Sequence, residues 1–85
     1  MLHYITAINK VTDQYEILCR FNDGKQKSIS LLPLISQFPK TEIFRQLLDK
    51  QYFKTVGLDS YGTLTWDNGV DFCPDVLYQL GKEIN

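Results

Sequence analysis

Eighty-five residues leave room for one domain, set against a usual domain size of about 100–200 residues. With 44% hydrophobic and 22% charged residues, and with five Tyr, five Phe and one Trp for a core, the chain falls outside the disordered and collagen-like classes. A net charge of −1 lacks the basic excess of a dedicated nucleic-acid binder, and no apolar run approaches the roughly 18–20 residues that span a bilayer.

The elements follow in chain order. Tyr4-Ile-Thr-Ala-Ile8 is rich in β-formers and predicts a first strand. A turn follows around Thr12-Asp13-Gln14. Tyr15, Ile17, Cys19 and Phe21 alternate with polar residues, the period of a half-buried strand. Asn22-Asp23-Gly24 is hairpin turn chemistry, because all three residue types tolerate positive φ. The return strand is expected over 25–32, where Pro33 stops ladder pairing. Thr41 is placed to cap a helix over 41–49, with Ile43, Phe44, Leu47 and Leu48 as its apolar stripe. Tyr52 and Phe53 close that helix onto the sheet. Residues 54–58 and 63–66 read as two short strands joined by a turn at Asp59-Ser-Tyr-Gly62. Asn68-Gly69 is a further turn signal. Pro74 then opens a short last helix with Asp75 in its first turn, Val76, Leu77 and Leu80 on its apolar face, and Gly81 at its end. The order predicts a single α+β domain over 1–85. It is a small antiparallel sheet of about five short strands, as one sheet or two smaller ones, packed against one central helix and a short C-terminal helix. The first and third strands are the candidate exposed edges, and a homodimer that pairs edges would cover them.

Charge is unevenly placed. Residues 1–54 hold eight Lys/Arg and five Asp/Glu, a net of +3, whereas residues 55–85 hold one Lys and five acids, a net of −4. No basic residue stands between Val56 and Gly81. An acidic C-terminal surface suits a basic protein partner or a cation, or simply solubility. Two cysteines cannot build a four-thiolate zinc site, and the single His3 does not complete one. Met1 to Lys10 lacks the basic start and apolar stretch of a signal peptide, so a reducing cytoplasm without disulfides is expected.

The most distinctive stretch is Trp66-Asp-Asn-Gly-Val-Asp-Phe-Cys-Pro-Asp-Val-Leu-Tyr78. It resembles a bacterial domain-of-unknown-function family, number 2442. Its members look like a strand ending in Trp, an Asn-Gly turn, an Asp, and Pro-Asp/Glu-x-Leu-Tyr at the last helix. Trp66, Asn68, Gly69, Asp71, Pro74, Asp75, Leu77 and Tyr78 carry that pattern here. The likeness extends upstream through Phe21-Asn-Asp-Gly24, Leu31-Leu-Pro-Leu34 and Phe53-Lys-Thr-Val56. It implies no activity, substrate or cofactor. It does imply a place in a two-gene bacterial cassette and an antitoxin-like role beside another small protein. Some members carry a helix-turn-helix domain after this one; none is expected within these 85 residues, so nucleic acid is not the expected partner.

Asp67, Asp71 and Asp75 recur every four residues and would line one face of a helix, as a divalent-cation or acid/base site requires. Asn68-Gly69 and Cys73-Pro74 interrupt any such helix, which gives each Asp a local role in turn or cap instead. Trp66 shares a side with Leu64 and so reads as core, although Trp is also the residue type most enriched at binding hot spots. Tyr61 stands at a turn tip, and Tyr78 packs its ring on the last helix while its hydroxyl reaches solvent or a backbone carbonyl. His3 has no visible nucleophile beside it, and there is no phosphate loop, nucleophile elbow or zinc-protease motif. Lys25 and Lys27 alternate on the third strand, where edge lysines prevent sheet-to-sheet association. The reading is a non-enzymatic protein-interaction module, with no cofactor or catalytic residue assigned. Its candidate partner-binding residues are Trp66, Asn68, Asp71, Asp75, Tyr78 and Tyr61. Two alternatives stand beside it: a small enzyme or metal binder using Asp67/Asp71/Asp75, and an oligomeric nucleic-acid regulator.

Overall fold

The computed structural model describes residues 2–36, 45–70 and 72–84. Three antiparallel strands come first: β1 (Ile5–Val11), β2 (Glu16–Phe21) and β3 (Gln26–Ser30). Alternation decides which side of β2 is buried. Ile17, Cys19 and Phe21 point into the core at 1% exposure or less, while Arg20 faces solvent. Tyr15, expected as the first inward residue of this strand, precedes it with φ +62°, in a turn where Thr12 Oγ1 accepts the Gln14 and Glu16 N–H groups. The β2–β3 hairpin turns at Asn22-Asp23-Gly24, as its chemistry predicts. Gly24 has φ +87°, and Asp23 Oδ1 accepts the Lys25 N–H at 3.0 Å.

Ladder pairing along β3 stops at Ser30. The expected strand through Leu32 is replaced by a short helix, α1 (Leu32–Ser36). Pro33 lies in its first turn, where the missing N–H costs no hydrogen bond and the fixed φ suits a helix. The expected helix over 41–49 falls partly outside the described residues, which omit 37–44. Arg45 and Gln46 are helical, but the chain tightens immediately afterwards: Leu48 N–H bonds to Arg45 O and Asp49 N–H to Gln46 O. Asp49 is then extended and caps a new helix, α2 (Lys50–Phe53), by accepting the Gln51 N–H at 2.9 Å. The helix start at Asp49 is a local competition that Asp wins readily, because its side chain satisfies an orphan donor.

A second sheet follows, β4 (Gly57–Leu58) against β5 (Leu64–Thr65). The last helix, α3 (Pro74–Leu80), begins at Pro74 as expected and buries Leu77. Gly81 leads directly into β6 (Lys82–Glu83), which pairs with β3. The larger sheet therefore has the order β1-β2-β3-β6. The third strand is not an edge, which corrects the reading of Lys25 and Lys27 as edge guards. Lys27 is in fact 8% exposed. The architecture is α+β: a four-stranded antiparallel sheet, a two-stranded sheet and short helices that include a C-terminal one.

Residues from every layer meet in one core. Ile5, Ile17, Phe21, Ile29, Leu31, Ile35, Leu47, Phe53, Leu64, Trp66, Val70 and Leu77 are each at most 3% exposed. Each such aliphatic or aromatic burial stabilises by about 1.5–3 kcal/mol relative to an exposed side chain. Cys19 is part of this core. Burial pushes its thiol up to about 11, so it stays protonated near neutral pH and behaves as a small hydrophobe. Among the described residues no helix is long and apolar enough to cross a membrane.

Candidate functional site

The residues singled out from the sequence separate into three neighbourhoods. Trp66 belongs to the core. Its ring packs 5.6 Å from Phe53 and 6.0 Å from Phe72, and its indole Nε1 donates to the Phe53 carbonyl at 3.0 Å. At 3% exposure it offers a partner no surface. Asn68 sits next to it in a structural turn. Its Oδ1 accepts the Val70 N–H at 3.1 Å, and its Nδ2 donates to Gln46 Oε1 at 2.7 Å. The Tyr52 hydroxyl links this turn to α2: it donates to Asp67 Oδ1 and accepts the Asn68 N–H. Burial first, then the Asp67 carboxylate, raises the Tyr52 phenol above its usual value. Asp67 thus shapes the turn. Asp71 lies outside the described residues.

Asp75 and Tyr78 form a second neighbourhood with a residue from the far end of the chain. Asp75 Oδ1 accepts the His3 backbone N–H at 2.9 Å and lies 3.1 Å from His3 Nδ1. These contacts, the backbone donor foremost, hold the Asp75 carboxyl below its usual value. The His3 ring stacks on Tyr78 at 3.6 Å with a 16° tilt, and Lys27 Nζ stands 3.5 Å from the centre of the same ring. Two groups at such distances cannot share one face, so the tyrosine is sandwiched between them. Lys27 Nζ also donates to the Tyr78 carbonyl at 2.7 Å, placing a cation at the C-terminal end of α3. The Tyr78 hydroxyl donates to Asp23 Oδ2 at 2.5 Å, which raises the phenol and lowers the carboxyl. His3 and Lys27 are the residues that sequence reasoning undervalued. The His3–Asp75 contact spans 72 positions, and no local pattern announces it.

A His–carboxylate pair is a familiar element of acid/base chemistry. Here its arrangement is that of a clasp. Among the described residues, His3 hydrogen bonds run to Asp75 alone, so no nucleophile is joined to the imidazole. Asp67 and Asp75 answer to different donors, the Tyr52 hydroxyl and His3. No group of three or more His, Cys, Asp or Glu side chains among the described residues is placed to hold a metal ion.

The third neighbourhood is open. Tyr61 is 81% exposed and Tyr4 47%, and both line a groove of about 420 Å³ beside the start of β1. Thr6, Asp59 and Ser60 contribute its polar wall. The turn that presents Tyr61 is firmly tied. Asp59 Oδ1 accepts the N–H groups of Tyr61 at 2.9 Å and Thr63 at 3.1 Å, and the Ile5 N–H donates to the Gly62 carbonyl at 2.7 Å. Sequence reasoning identified Tyr61 but missed Tyr4, which strand alternation alone cannot bring across to a turn 57 positions away.

The model of the family DUF2442, described as a protein of unknown function, matches residues 10–83. The chain belongs to the DUF2442 family. The match takes in the end of β1 and every later element through β6, so nearly the whole of the fold described above lies within the DUF2442 match. Comparison with curated proteins and with solved structures finds no match. Of the open groove of this DUF2442 domain, Asp59, Ser60, Tyr61 and Gly62 lie within the matched range, while Tyr4, Ile5 and Thr6 precede it.

Proposed function

We propose that the chain is a non-enzymatic protein-interaction module of the bacterial cytoplasm, which binds a small partner protein as the antitoxin-like member of a pair. One observation carries this reading. Of the side chains that the sequence offers for binding, Trp66, Asn68, Asp75 and Tyr78 are spent on holding the fold together, whereas Tyr61 projects 81% exposed from a rigid turn beside a second exposed tyrosine. Exposed, pre-positioned aromatics bordering a concavity are what interface anchors look like, because they bring large contact area at little entropic cost. The binding surface is accordingly centred on the 59–62 turn rather than on the acidic helix start.

The test is recovery of a stoichiometric small protein by the tagged chain from its native extract, compared with Tyr61→Ala and with Asp75→Lys. Tyr61→Ala should lose the companion while its circular dichroism and melting match the parent. Capture that survives Tyr61→Ala but fails with a folded Asp75→Lys returns the surface to the acidic helix start. A bait without any companion overturns the interaction reading.

A further inference from the structure

We infer that the groove between Tyr4 and Tyr61 is a cation-recognition site, which takes an arginine or lysine side chain presented by the partner protein. The inference rests on the interaction-module reading and specifies the chemistry of that partner. Three features of the groove point the same way. Tyr4 and Tyr61 both line it and are largely exposed, and an aromatic ring attracts a cation placed over its face. Asp59 supplies a carboxylate in the same wall; its Oδ1 is occupied by the Tyr61 and Thr63 N–H groups, and among the described residues Oδ2 accepts no hydrogen bond. No lysine or arginine is found among the described lining residues.

The same molecule already shows this interaction from the inside. Lys27 places its ammonium 3.5 Å from the centre of the Tyr78 ring. At the groove two tyrosines and a carboxylate stand in one wall, the groups that a partner's cation would meet. A volume of about 420 Å³ accommodates one long basic side chain, and lies in the usual range of roughly 300–1,000 Å³ for small ligand clefts. An arginine is suited best, because its planar guanidinium stacks on a ring and reaches a carboxylate oxygen at once. The site is also pre-formed. Asp59 fixes the turn, and Gly62 lies so close to Tyr4 that a Cβ built on it would stand 2.7 Å from Tyr4 Cβ.

The test is an amide-resolved NMR titration of the full chain with N-acetyl-arginine methylamide. The isosteric citrulline derivative, which has the same shape and no charge, is the control. Saturable shifts are expected at Tyr4 and at residues 59–62, with the citrulline compound binding at least about threefold more weakly, the scale of an exposed cation–π contact. Asp59→Asn keeps an oxygen acceptor for the turn and removes the charge. Tyr61→Leu keeps apolar bulk and removes the aromatic face. Each should weaken arginine binding by a similar factor, with melting unchanged for Tyr61→Leu. Equal binding of the two compounds, or no saturable shift, overturns the inference. A partner protein still captured through Tyr61 in that case shows that the interaction reading stands and the cation chemistry alone has failed. Arginine-selective binding with no partner captured shows the reverse.

Discussion

At Gly62 the backbone φ is +76°, and the space in which a side chain would begin is already taken by Tyr4 Cβ and the Ile5 carbonyl. Gly69 has φ +93° but nothing within 4 Å of its would-be Cβ. The two glycines separate two costs that are usually confounded. A left-handed conformation costs an L-residue roughly 1–2 kcal/mol. Gly69→Ala should therefore destabilise by about that amount in urea denaturation. Gly62→Ala should cost clearly more, since the alanine methyl must also displace strand β1 from the turn. Tyr4 cannot yield cheaply, because the atom in the way is its Cβ, fixed to the backbone. Equal losses for the two variants would show that the contact between the 59–62 turn and β1 is soft, and with it the rigidity assigned to the groove.

At the scale of elements, α3 is held by groups that titrate, and this sets a pH dependence. Asp75 in the folded chain ionises below its ordinary value because His3 donates to it. A carboxyl depressed on folding contributes stability that is complete above its unfolded value and is lost as pH falls through the folded one. Asp75→Asn should therefore be less stable than the parent at pH 7, and the gap should close as pH falls below about 4. Urea midpoints at pH 7, 5 and 3 measure this, and a gap independent of pH would sink the account. Asp23 carries a depression of the same sign from the Tyr78 hydroxyl, so the variant retains part of the acid sensitivity. The elements also show what was legible in the sequence. Alternation revealed β2, Asn-Asp-Gly the hairpin, and Pro74-Asp75 the start of α3, because each is a local signal. The two residues of β6 carry no period to read, and their pairing with β3 exists only once α3 has turned the chain back. Leu47 and Leu48 share a helical period but lie in the turn that leads to the Asp49 cap. At the site, Tyr61 was visible as a turn tip, while the His3–Asp75–Tyr78 clasp and the approach of Tyr4 are products of long-range packing alone.

Across the whole molecule, the two ends of the described chain close the same structure. His3 stacks on one face of Tyr78, and β6 returns past α3 to pair with β3 through Lys27 and Ser28, with the Ile84 N–H donating to the Gln26 carbonyl. The two outer flanks of the β1-β2-β3 meander are thus protected differently. On β1 the register slips between Ile5 and Ala7 and again between Ile8 and Lys10, irregularities that spoil the edge as a template for another strand. On β3 the register against β2 is unbroken from Gln26 to Ser30, and only β6 covers its other side. Removing residues 82–85 should then have two linked effects. The melting temperature should fall, since the truncation strips the backbone partners of Gln26, Lys27 and Ser28. The truncated chain should also self-associate more strongly than the full chain, as a regular five-residue strand is left open to a second copy. Sedimentation velocity across a concentration series reads the association, and a thermal melt reads the stability. A truncated chain with lower melting but unchanged sedimentation would show that β6 stabilises without guarding. If neither changed, the third strand would be protected by its own side chains, and the edge reading of Lys25 and Lys27 would return.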